Sequence, residues 1–502
     1  MFYFALIAIL ASLFLARSFG RRRRFPLPPG PRGLPLLGNA LQIPRFRPWE
    51  TYKKWEKLSH GPLVYAKALG QHILVANNFD DALELLEKRS AIHSDRPFML
   101  MFKLMGWDAI TAFMKSGNTW RQHHKVLQHI RRGRVERFHP LLAVKTGDFL
   151  HKISTTPKHF DKHANYFSAS IMMVIAYGYD LQSPDDPILK MVCEAVESVV
   201  RGFLPGGFVV DTFPFLRHLP RWFPGVKFHD YAAGIKKMTY EAKTKMLDLV
   251  EEEIRSGIDR ASICHAFLKE GEAEIRVEKS SLRDAAFTVF SGGMDTTSAG
   301  LKIVLLALAT HPDVQKKAQA EISSVTRNTR LPDFDDRASL PYLGAIIREA
   351  LRWKPPAPLG VPHQSTQEDV YKGYLIPQGT IIMSNIWAMT RNEEIYPDPE
   401  SFKPERFLNP DGTLNSDDRY LTFGFGRRVC PGQYLALDSI WLATAQTLAS
   451  LTLSNPVSIE TGNELTAHKT DFVEGLGVWI PRPFGFDITP NKGAEHLLNF
   501  AD

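Results

Sequence analysis

The residues with the most distinctive chemistry lie near the end of the chain, in the stretch Phe423–Gly432, which reads FGFGRRVCPG. It combines the thiol of Cys430 with three glycines and two arginines. An isolated cysteine is usually a small buried apolar residue, and that role needs neither positive charge nor missing side chains. The composition of this stretch therefore predicts a chemical role for the Cys430 thiol.

A second candidate site lies within the apolar segment 285–308. Gly292 and Gly293 weaken a helix, each by about 0.5–1 kcal/mol relative to alanine. Two explanations fit them equally well when they are taken alone: a kink with satisfied polar groups in the core, and a groove in which a ligand approaches the backbone. Beside them, Asp295 and Thr296 are an acid and an alcohol that could deliver protons. The segment is long enough to cross a membrane, but polar groups inside a bilayer are costly. We therefore expect a helix buried in a large core.

A pair of opposite charges, Glu349 and Arg352, follows at the i, i+3 spacing that places both on one helix face. Arg406, in the stretch Pro404–Phe407, is a third candidate member of the same group. On a protein surface such a pair would be commonplace.

These motifs need elements to position them, and hydrophobic periodicity predicts a mainly α-helical body with small β-sheets. The predicted helices are Asp80–Lys88, Tyr231–Ile254, Asp284–Thr310, Asp313–Val325 and Leu343–Trp353. One strand pair is predicted at 62–66 and 72–76 with Gly70 at the turn, and a second at 371–376 and 380–384 around Pro377. No polar linker divides residues 46–502, so we expect one catalytic domain.

The N-terminus predicts a membrane attachment. Residues 2–16 are mostly apolar and are followed by Arg17 and the run Arg21–Arg24, so residues 1–24 read as a membrane anchor with a basic stop. The positive charge follows the apolar run, which is unlike a cleaved signal peptide and keeps the body on the cytoplasmic side. Residues 25–45 are a spacer rich in proline and glycine.

Composition excludes several classes of protein. Among 502 residues there are three cysteines, too few for a disulfide framework, and the net charge of +7 favours acidic partners or anionic lipid. No zinc-binding or phosphate-binding motif is present, and we expect no nucleic-acid partner.

The four motifs together resemble the cytochrome P450 superfamily. The pattern FxxGxRxCxG (Phe423, Gly426, Arg428, Cys430 and Gly432) is similar to its haem-binding signature, and GGMDTT at 292–297 to its oxygen-binding helix motif. ExxR at 349–352 and PERF at 404–407 are similar to its paired core motifs, and all four occur in the family's order. The anchor and spacer are most like fungal microsomal members of secondary metabolism. The resemblance implies the cytochrome P450 fold behind an N-terminal membrane anchor.

The resemblance also implies a role for each residue of the signature. Cys430 would be the axial thiolate ligand of haem b, a ligand that favours O–O cleavage. Gly426 and Gly432 would let the backbone approach the cofactor or the sulfur, and Phe423 would belong to the same loop. Arg428 would neutralise a haem propionate.

Three further residues match positions that contact the propionates in the family. Trp120 and His363 are candidate donors, with an exposed loop histidine as the alternative for His363. His124 stands where the family usually has arginine, and a neutral imidazole is a poorer propionate partner than guanidinium, although it still donates one hydrogen bond. Glu349, Arg352 and Arg406 would form a structural core, while Asp295 and Thr296 would be catalytic.

Scattered segments are candidates for the substrate pocket and for partner surfaces. The candidate pocket residues, for which a role in the core is an equal alternative, are Phe98, Phe102, Phe113, Gly292, Leu359 and Val361. The stretch 202–225 is a candidate second membrane contact. The basic stretch 121–134, with Lys125, Arg131 and Arg132, is a candidate docking surface for an acidic electron donor, with a solvated charged helix as the alternative.

The function implied is a haem-thiolate monooxygenase at the endoplasmic reticulum membrane, with its catalytic domain facing the cytoplasm. It would insert one oxygen atom of O2 into a hydrophobic small molecule (a terpenoid, polyketide or aromatic compound), using electrons from NADPH–cytochrome P450 reductase. Two alternatives stand beside it: a haem-thiolate isomerase or dehydratase, which would need neither O2 nor reductase, and a non-enzymatic haem sensor. Family members of the isomerase kind tend to lack the acid–alcohol pair that Asp295 and Thr296 supply.

Overall fold

The computed structural model describes residues 25–44, 46–199, 208–269, 277–466, 472–475 and 478–498. The predicted anchor at residues 1–24 lies outside this range. Among the described residues, none of the helices has both the length and the apolar character that crossing a membrane requires.

Helices dominate the described part of the chain, as predicted. Eleven helices of seven or more residues are labelled in chain order: α1 Pro48–Lys54, α2 Asn118–Leu127, α3 His139–Thr155, α4 Phe160–Tyr177, α5 Pro187–Glu197, α6 Phe228–Arg255, α7 Ile263–Lys269, α8 Lys279–Thr310, α9 Pro312–Thr326, α10 Pro341–Trp353 and α11 Gln433–Ser450. Shorter α-helical turns lie at Glu56–Ser59, Phe79–Leu83, Ser90–His93, Leu100–Leu104, Val209–Thr212 and Ile386–Met389. Short 3-10 turns lie at Gln128–Ile130, Val135–Phe138, Pro157–His159, Pro214–His218, Phe334–Ser339, Pro404–Phe407, Leu421–Phe423, Gly426–Arg428 and Glu495–Leu498.

Helix α8 is the centre of the core, as predicted for residues 285–308. It is apolar on most sides, and a helix of that kind is stable only when other elements surround it. It packs against α2, α4, α10 and α11. Its one buried lysine, Lys302, is compensated by α4, where Asp161 lies 2.6 Å and Asn165 Oδ1 2.8 Å from the Nζ atom.

Within the described residues, ten short strands form four small sheets: β1 Leu63–Ala68, β2 Gln71–Ala76, β3 His363–Gln364, β4 Asp369–Tyr371, β5 Tyr374–Ile376, β6 Ile381–Ser384, β7 Leu451–Ser458, β8 Phe472–Gly475, β9 Val478–Pro481 and β10 Phe484–Pro490. The largest sheet has the order β1-β2-β6-β3, and the others are the pairs β4-β5, β7-β10 and β8-β9. The first predicted hairpin is confirmed: β1 pairs antiparallel with β2, and Gly70 at the turn has φ +90°.

The second predicted strand pair is wrong. A turn does follow Pro377, but residues 371–376 are not one strand, because β4 and β5 form their own hairpin around Lys372 and Gly373, both with positive φ. Strand β6 pairs instead with β2, in parallel, and with β3. A partner about 300 residues away in the chain leaves no local pattern.

The helix predicted over Asp80–Lys88 is confirmed only in its first half. An α-helical turn, Phe79–Leu83, continues as a π-helical turn over Glu84–Lys88. Such π-turns concentrate near functional sites. This one brings the Leu86 carbonyl against Gly426 of the cysteine stretch.

Candidate functional site

The loop around Cys430 lies between the 3-10 turn Gly426–Arg428 and the start of α11. The backbone N–H of Cys430 donates to Phe423 O at 2.8 Å, which closes the loop. Cys430 is exposed on one side. The protein that surrounds the thiol on its other sides still raises its pKa, because burial disfavours the thiolate. The backbone N–H of Gly432, just before α11, donates to the sulfur and opposes that rise in pKa, since it stabilises the anion. Cys430 is therefore accessible, and one N–H group is aimed at its sulfur.

The two glycines of the loop differ in what the protein requires of them. Gly426 has φ +55°, and a Cβ there would lie 2.2 Å from Leu86 O, so no other residue fits. A Cβ on Gly432 would lie 3.9 Å from Cys430 Sγ, an ordinary contact. The described protein atoms therefore account for the glycine at 426 and do not account for the one at 432.

Arg428 is the centre of a group of hydrogen-bond donors beside this loop. Its Nε donates to Ser94 O at 2.7 Å and its Nη2 to Ser116 Oγ at 3.0 Å. Its Nη1 is buried and finds no hydrogen-bond partner within the described ranges. Burial lowers the pKa of Arg428 to about 10. A charge-bearing donor is thus left without an acceptor among the described residues.

Trp120 and His124, both on α2, extend this group. The Arg428 guanidinium lies 4.5 Å from the centre of the Trp120 ring, whose buried Nε1 also lacks a partner among the described residues. The His124 ring lies 3.8 Å from the Trp120 ring, and its Nδ1 accepts from Arg131 Nη2 at 3.1 Å. Burial first, and then Arg131 and Arg428, lower the pKa of His124 to about 4, so the imidazole is neutral at pH 7.

His363, at the start of β3, is buried rather than on an exposed loop. Its Nδ1 lies 2.8 Å from His93 O, and burial, with Arg96 and Arg428 nearby, holds its pKa well below the usual range. The structure therefore brings together the four side chains that the sequence nominated around Cys430: Trp120, His124, His363 and Arg428.

Arg96 is a member of this group that the sequence analysis missed. It is buried, and its guanidinium donates only to carbonyls, those of Ala112, Val361 and Pro362, each at 2.7 Å. Burial and Arg428 lower its pKa to about 9. The nearby carboxylate, Asp95, accepts instead from the backbone N–H of Ser116 at 2.9 Å. Arg96 lies in an Arg-Pro dipeptide of a loop, where no periodic pattern marks a buried residue. Only the burial of its side chain in the structure shows that it belongs to this group.

Glu349, Arg352 and Arg406 form a contrasting, fully compensated network. Glu349 is 0% exposed and accepts from Arg352 Nε at 2.6 Å and Nη2 at 2.9 Å, and from Arg406 Nε at 3.1 Å. The backbone N–H of Lys403 adds a fourth bond at 2.8 Å. The network ties α10 to the turn Pro404–Phe407.

On α8, Gly292 and Thr296 are exposed although the helix around them is largely buried, so open space lies against this face, called here the cavity face. Thr296 Oγ1 donates to Gly292 O at 2.6 Å, whereas Thr297 is buried. Burial raises the pKa of Asp295 to about 6, Lys302 opposes the rise, and Glu197 adds to it. The carboxyl therefore exchanges its proton near neutral pH.

The glycine pair does not act as one groove. A Cβ on Gly292 would meet nothing within 4 Å, whereas one on Gly293 would lie 2.4 Å from Met172 Sδ of α4. Gly292 therefore opens the cavity face, while Gly293 permits the close crossing of α4 and α8.

The candidate pocket residues are divided between the core and accessible positions. Phe102 is buried, with its ring 4.9 Å from that of Phe113, while Phe98 is exposed. Leu359 packs partly buried on the core, and Val361 contributes the carbonyl that Arg96 binds. The turn Leu100–Leu104 is held by Asp211, which accepts from the N–H of Met101 at 2.7 Å.

Comparison with known proteins places this arrangement in a family. The sequence model described as Cytochrome P450 matches residues 28–470. The chain is 36% identical to "Cytochrome P450 monooxygenase COX1" of Coprinopsis cinerea, over 90% of each chain. It is also 36% identical to "Cytochrome P450 monooxygenase 208" of Postia placenta, over 98% of this chain and 96% of that one. The same identity relates it to "Cytochrome P450 monooxygenase claR" of Ampulloclitocybe clavipes, over 97% and 91%.

Proposed function

The chain belongs to the cytochrome P450 family, and from this premise we propose that it oxidises a hydrophobic small molecule of the terpenoid, polyketide or aromatic class with electrons from an NADPH-dependent reductase. The enzyme is an oxidoreductase, a monooxygenase with haem b and an axial cysteine thiolate. The observation that carries the proposal is the accessible acid–alcohol face of α8, which an isomerase or a sensor would not need.

The residues around Cys430 fit haem b. The cofactor carries two carboxylates. Arg96 is buried and Arg428 is half-buried, and among the described residues neither forms an ion pair, although the charge of nearby Asp95 partly offsets both. Trp120 Nε1 and Arg428 Nη1 are buried donors without acceptors in the described part of the chain. Arg96, Trp120, His124, His363 and Arg428 would therefore hold the propionates, and Cys430 would bind the iron.

The chain's own contribution to catalysis is control of protons. When bound, haem b supplies the activation of O2, for which the cysteine thiolate favours O–O cleavage. The Asp295 carboxyl, with its pKa near 6, holds and releases a proton at working pH, and the neighbouring Thr296 hydroxyl relays it into the cavity. In the structure this hydroxyl donates to Gly292 O, which holds it on the cavity face.

Two apolar surfaces support two parts of this proposal, the hydrophobic substrate and the attachment to the endoplasmic reticulum membrane. One lies along the spacer and just after it, where the exposed side chains are Leu34, Leu36, Leu37, Leu41 and Phe46. The other belongs to the predicted contact at 202–225, of which residues 208–225 are described, and exposes Val209, Phe213, Phe215, Trp222 and Phe223. Clusters of exposed large apolar side chains are typical of membrane contacts. Residues 1–24 would anchor the chain, with the catalytic domain in the cytoplasm.

A basic surface near the cysteine loop supports the proposal that a reductase docks there. Lys125, Arg132 and Arg134 are exposed, and the Arg132 guanidinium lies 5.8 Å from the centre of the Tyr434 ring at the start of α11. Positive charge here would attract an acidic electron donor to the cysteine side.

The test uses the full chain in microsomes with a P450 reductase, NADPH and a panel of terpenoids, polyketides and aromatic hydrocarbons. We expect product that carries one atom of labelled O2. Thr296→Ala should consume NADPH but release hydrogen peroxide, with product per NADPH falling by about tenfold or more. The control Thr297→Ala, whose side chain points about 100° away on the helix, should change this ratio little.

Two outcomes would contradict the proposal. Product formed without O2 and reductase would make the isomerase the better assignment. An unchanged ratio of product to NADPH in Thr296→Ala would show that the Thr296 hydroxyl does not relay the proton.

A further inference from the structure

Arg131 is the member of the basic stretch 121–134 whose geometry does not suit a docking surface. Its side chain is half-buried, unlike those of Lys125, Arg132 and Arg134, and its Nη2 donates to His124 Nδ1 at 3.1 Å. A guanidinium has donors only, so Nδ1 must be the acceptor and the ring proton of His124 resides on Nε2. Arg131 thereby sets the tautomer of His124.

The residues on either side of Arg131 lie against the cysteine loop and the start of α11. The preceding Ile130 has its Cδ1 3.9 Å from where a Cβ on Gly432 would be, and the following Arg132 contacts the ring of Tyr434. A continuous series of contacts then runs from Arg131 through His124 and Trp120 to Arg428.

The charge in this series does not reside on His124. Its imidazole is held neutral by burial and by the two arginines on either side. Within the described residues, Arg131 and Arg428 form no ion pair, and Arg428 has an unused buried donor. Buried or half-buried cations repel one another, and an anion that binds among them relieves this repulsion.

We propose that Arg131 is a cofactor-positioning residue: it fixes His124 as an Nε2–H donor and supplies the positive charge that His124 lacks toward the haem carboxylates. A histidine–arginine pair thus replaces one guanidinium. This role depends on the haem cofactor and on neither the substrate nor the reductase, so it stands or fails independently of the proposed function.

The test is the rate of haem loss from the substrate-free holoprotein to excess apomyoglobin, followed by absorbance. Arg131→Gln should lose haem about tenfold faster, because one charge-assisted contact is removed. Arg134→Gln is the matched control and should lose haem at the wild-type rate, because Arg134 is exposed and lies outside the series of contacts that leads to Arg428. His124→Arg combined with Arg131→Gln should restore a rate close to wild type, since the charge then comes from position 124.

Two results would overturn the proposal. One is a wild-type rate of haem loss in Arg131→Gln with slower reductase-driven turnover, which would return Arg131 to the docking surface. The other is faster haem loss that His124→Arg does not reverse, which would indicate a purely structural role. If Arg131→Gln yields no holoprotein, the double variant decides: recovery of holoprotein supports the proposal and its absence refutes it.

Discussion

Two groups of buried charges lie in this protein, one around Glu349 and the other around Arg428, and they are built on opposite principles. The Glu349 carboxylate receives four hydrogen bonds, two of them from Arg352 and one from Arg406. Arg96 and Arg428 donate to carbonyls and a hydroxyl, and burial lowers the pKa of both. Direct ion pairs neutralise the first group, whereas in the described part of the chain the second group forms none and has only the nearby charge of Asp95 to offset it.

This difference separates scaffold from site. Burying a charge costs several kcal/mol unless a partner compensates it. A compensated group therefore contributes to the stability of the chain itself. An uncompensated group weakens the chain until an anionic ligand binds, so it marks the place where the ligand belongs.

The largest expected effect follows removal of a scaffold charge. Glu349→Ala leaves Arg352 and Arg406 buried without their carboxylate, which should lower the free energy of unfolding by about 3–5 kcal/mol and abolish haem retention. The control is Asp398→Asn, which removes the charge of a surface pair with Lys403 whose side chains are 56% and 52% exposed. Asparagine tolerates the left-handed backbone at position 398 (φ +53°), so this variant should change the free energy of unfolding little. Urea unfolding of both variants measures this. A stable, haem-loaded Glu349→Ala enzyme would contradict the scaffold role.

Removal of the unpaired charge of Arg428 should weaken haem binding and leave the stability of the apoprotein intact, the reverse of the effect expected for Glu349. Arg428→Gln should leave the apoprotein as stable as wild type or more stable, because one uncompensated cation is gone. Loss of a hydrogen bond from a charged group, about 1.5–3 kcal/mol, should weaken haem binding by about 10–100-fold. Apoprotein unfolding and haem-loss rates measure the two effects separately. If the apoprotein of Arg428→Gln loses as much stability as that of Glu349→Ala, the contrast between the two groups fails.

Asp295 gives a further test of the comparison, because it is a half-buried acid that belongs to neither group. Its pKa in the folded protein, about 6, lies above the ordinary value of 3.8, so the folded state binds more protons between these values. Stability of the wild type should therefore fall as pH rises from about 4 to about 6 and stay reduced above that. Asp295→Asn lacks this loss and should be more stable by about 1–2 kcal/mol at pH 7, after discounting for partial exposure.

Urea unfolding of both proteins between pH 5 and pH 8 checks this sign. The advantage of Asp295→Asn should grow between pH 5 and pH 7 and then level off. An advantage that is independent of pH would show that the Asp295 carboxyl does not carry the effect.

Local patterns predicted what is local. The apolar run that became α8, the hairpin β1-β2 around Gly70 and the helix face shared by Glu349 and Arg352 each depend on neighbours a few residues away. The second strand pair was wrong because β6 pairs with β2, a distant segment. Arg96 was missed and Arg131 was grouped with surface cations for the same reason, since both are distinguished by contacts made across the fold.

By itself, the sequence determined which chemistry the protein carries: a cysteine in a glycine- and arginine-rich loop, an acid beside an alcohol in an apolar helix, and a Glu–Arg pair. These are properties of residue type and short spacing. Only the tertiary structure decided which charges are paired. Whether Arg352 finds a carboxylate and Arg428 does not depends on segments that meet in space, and burial then sets the energy of each charge.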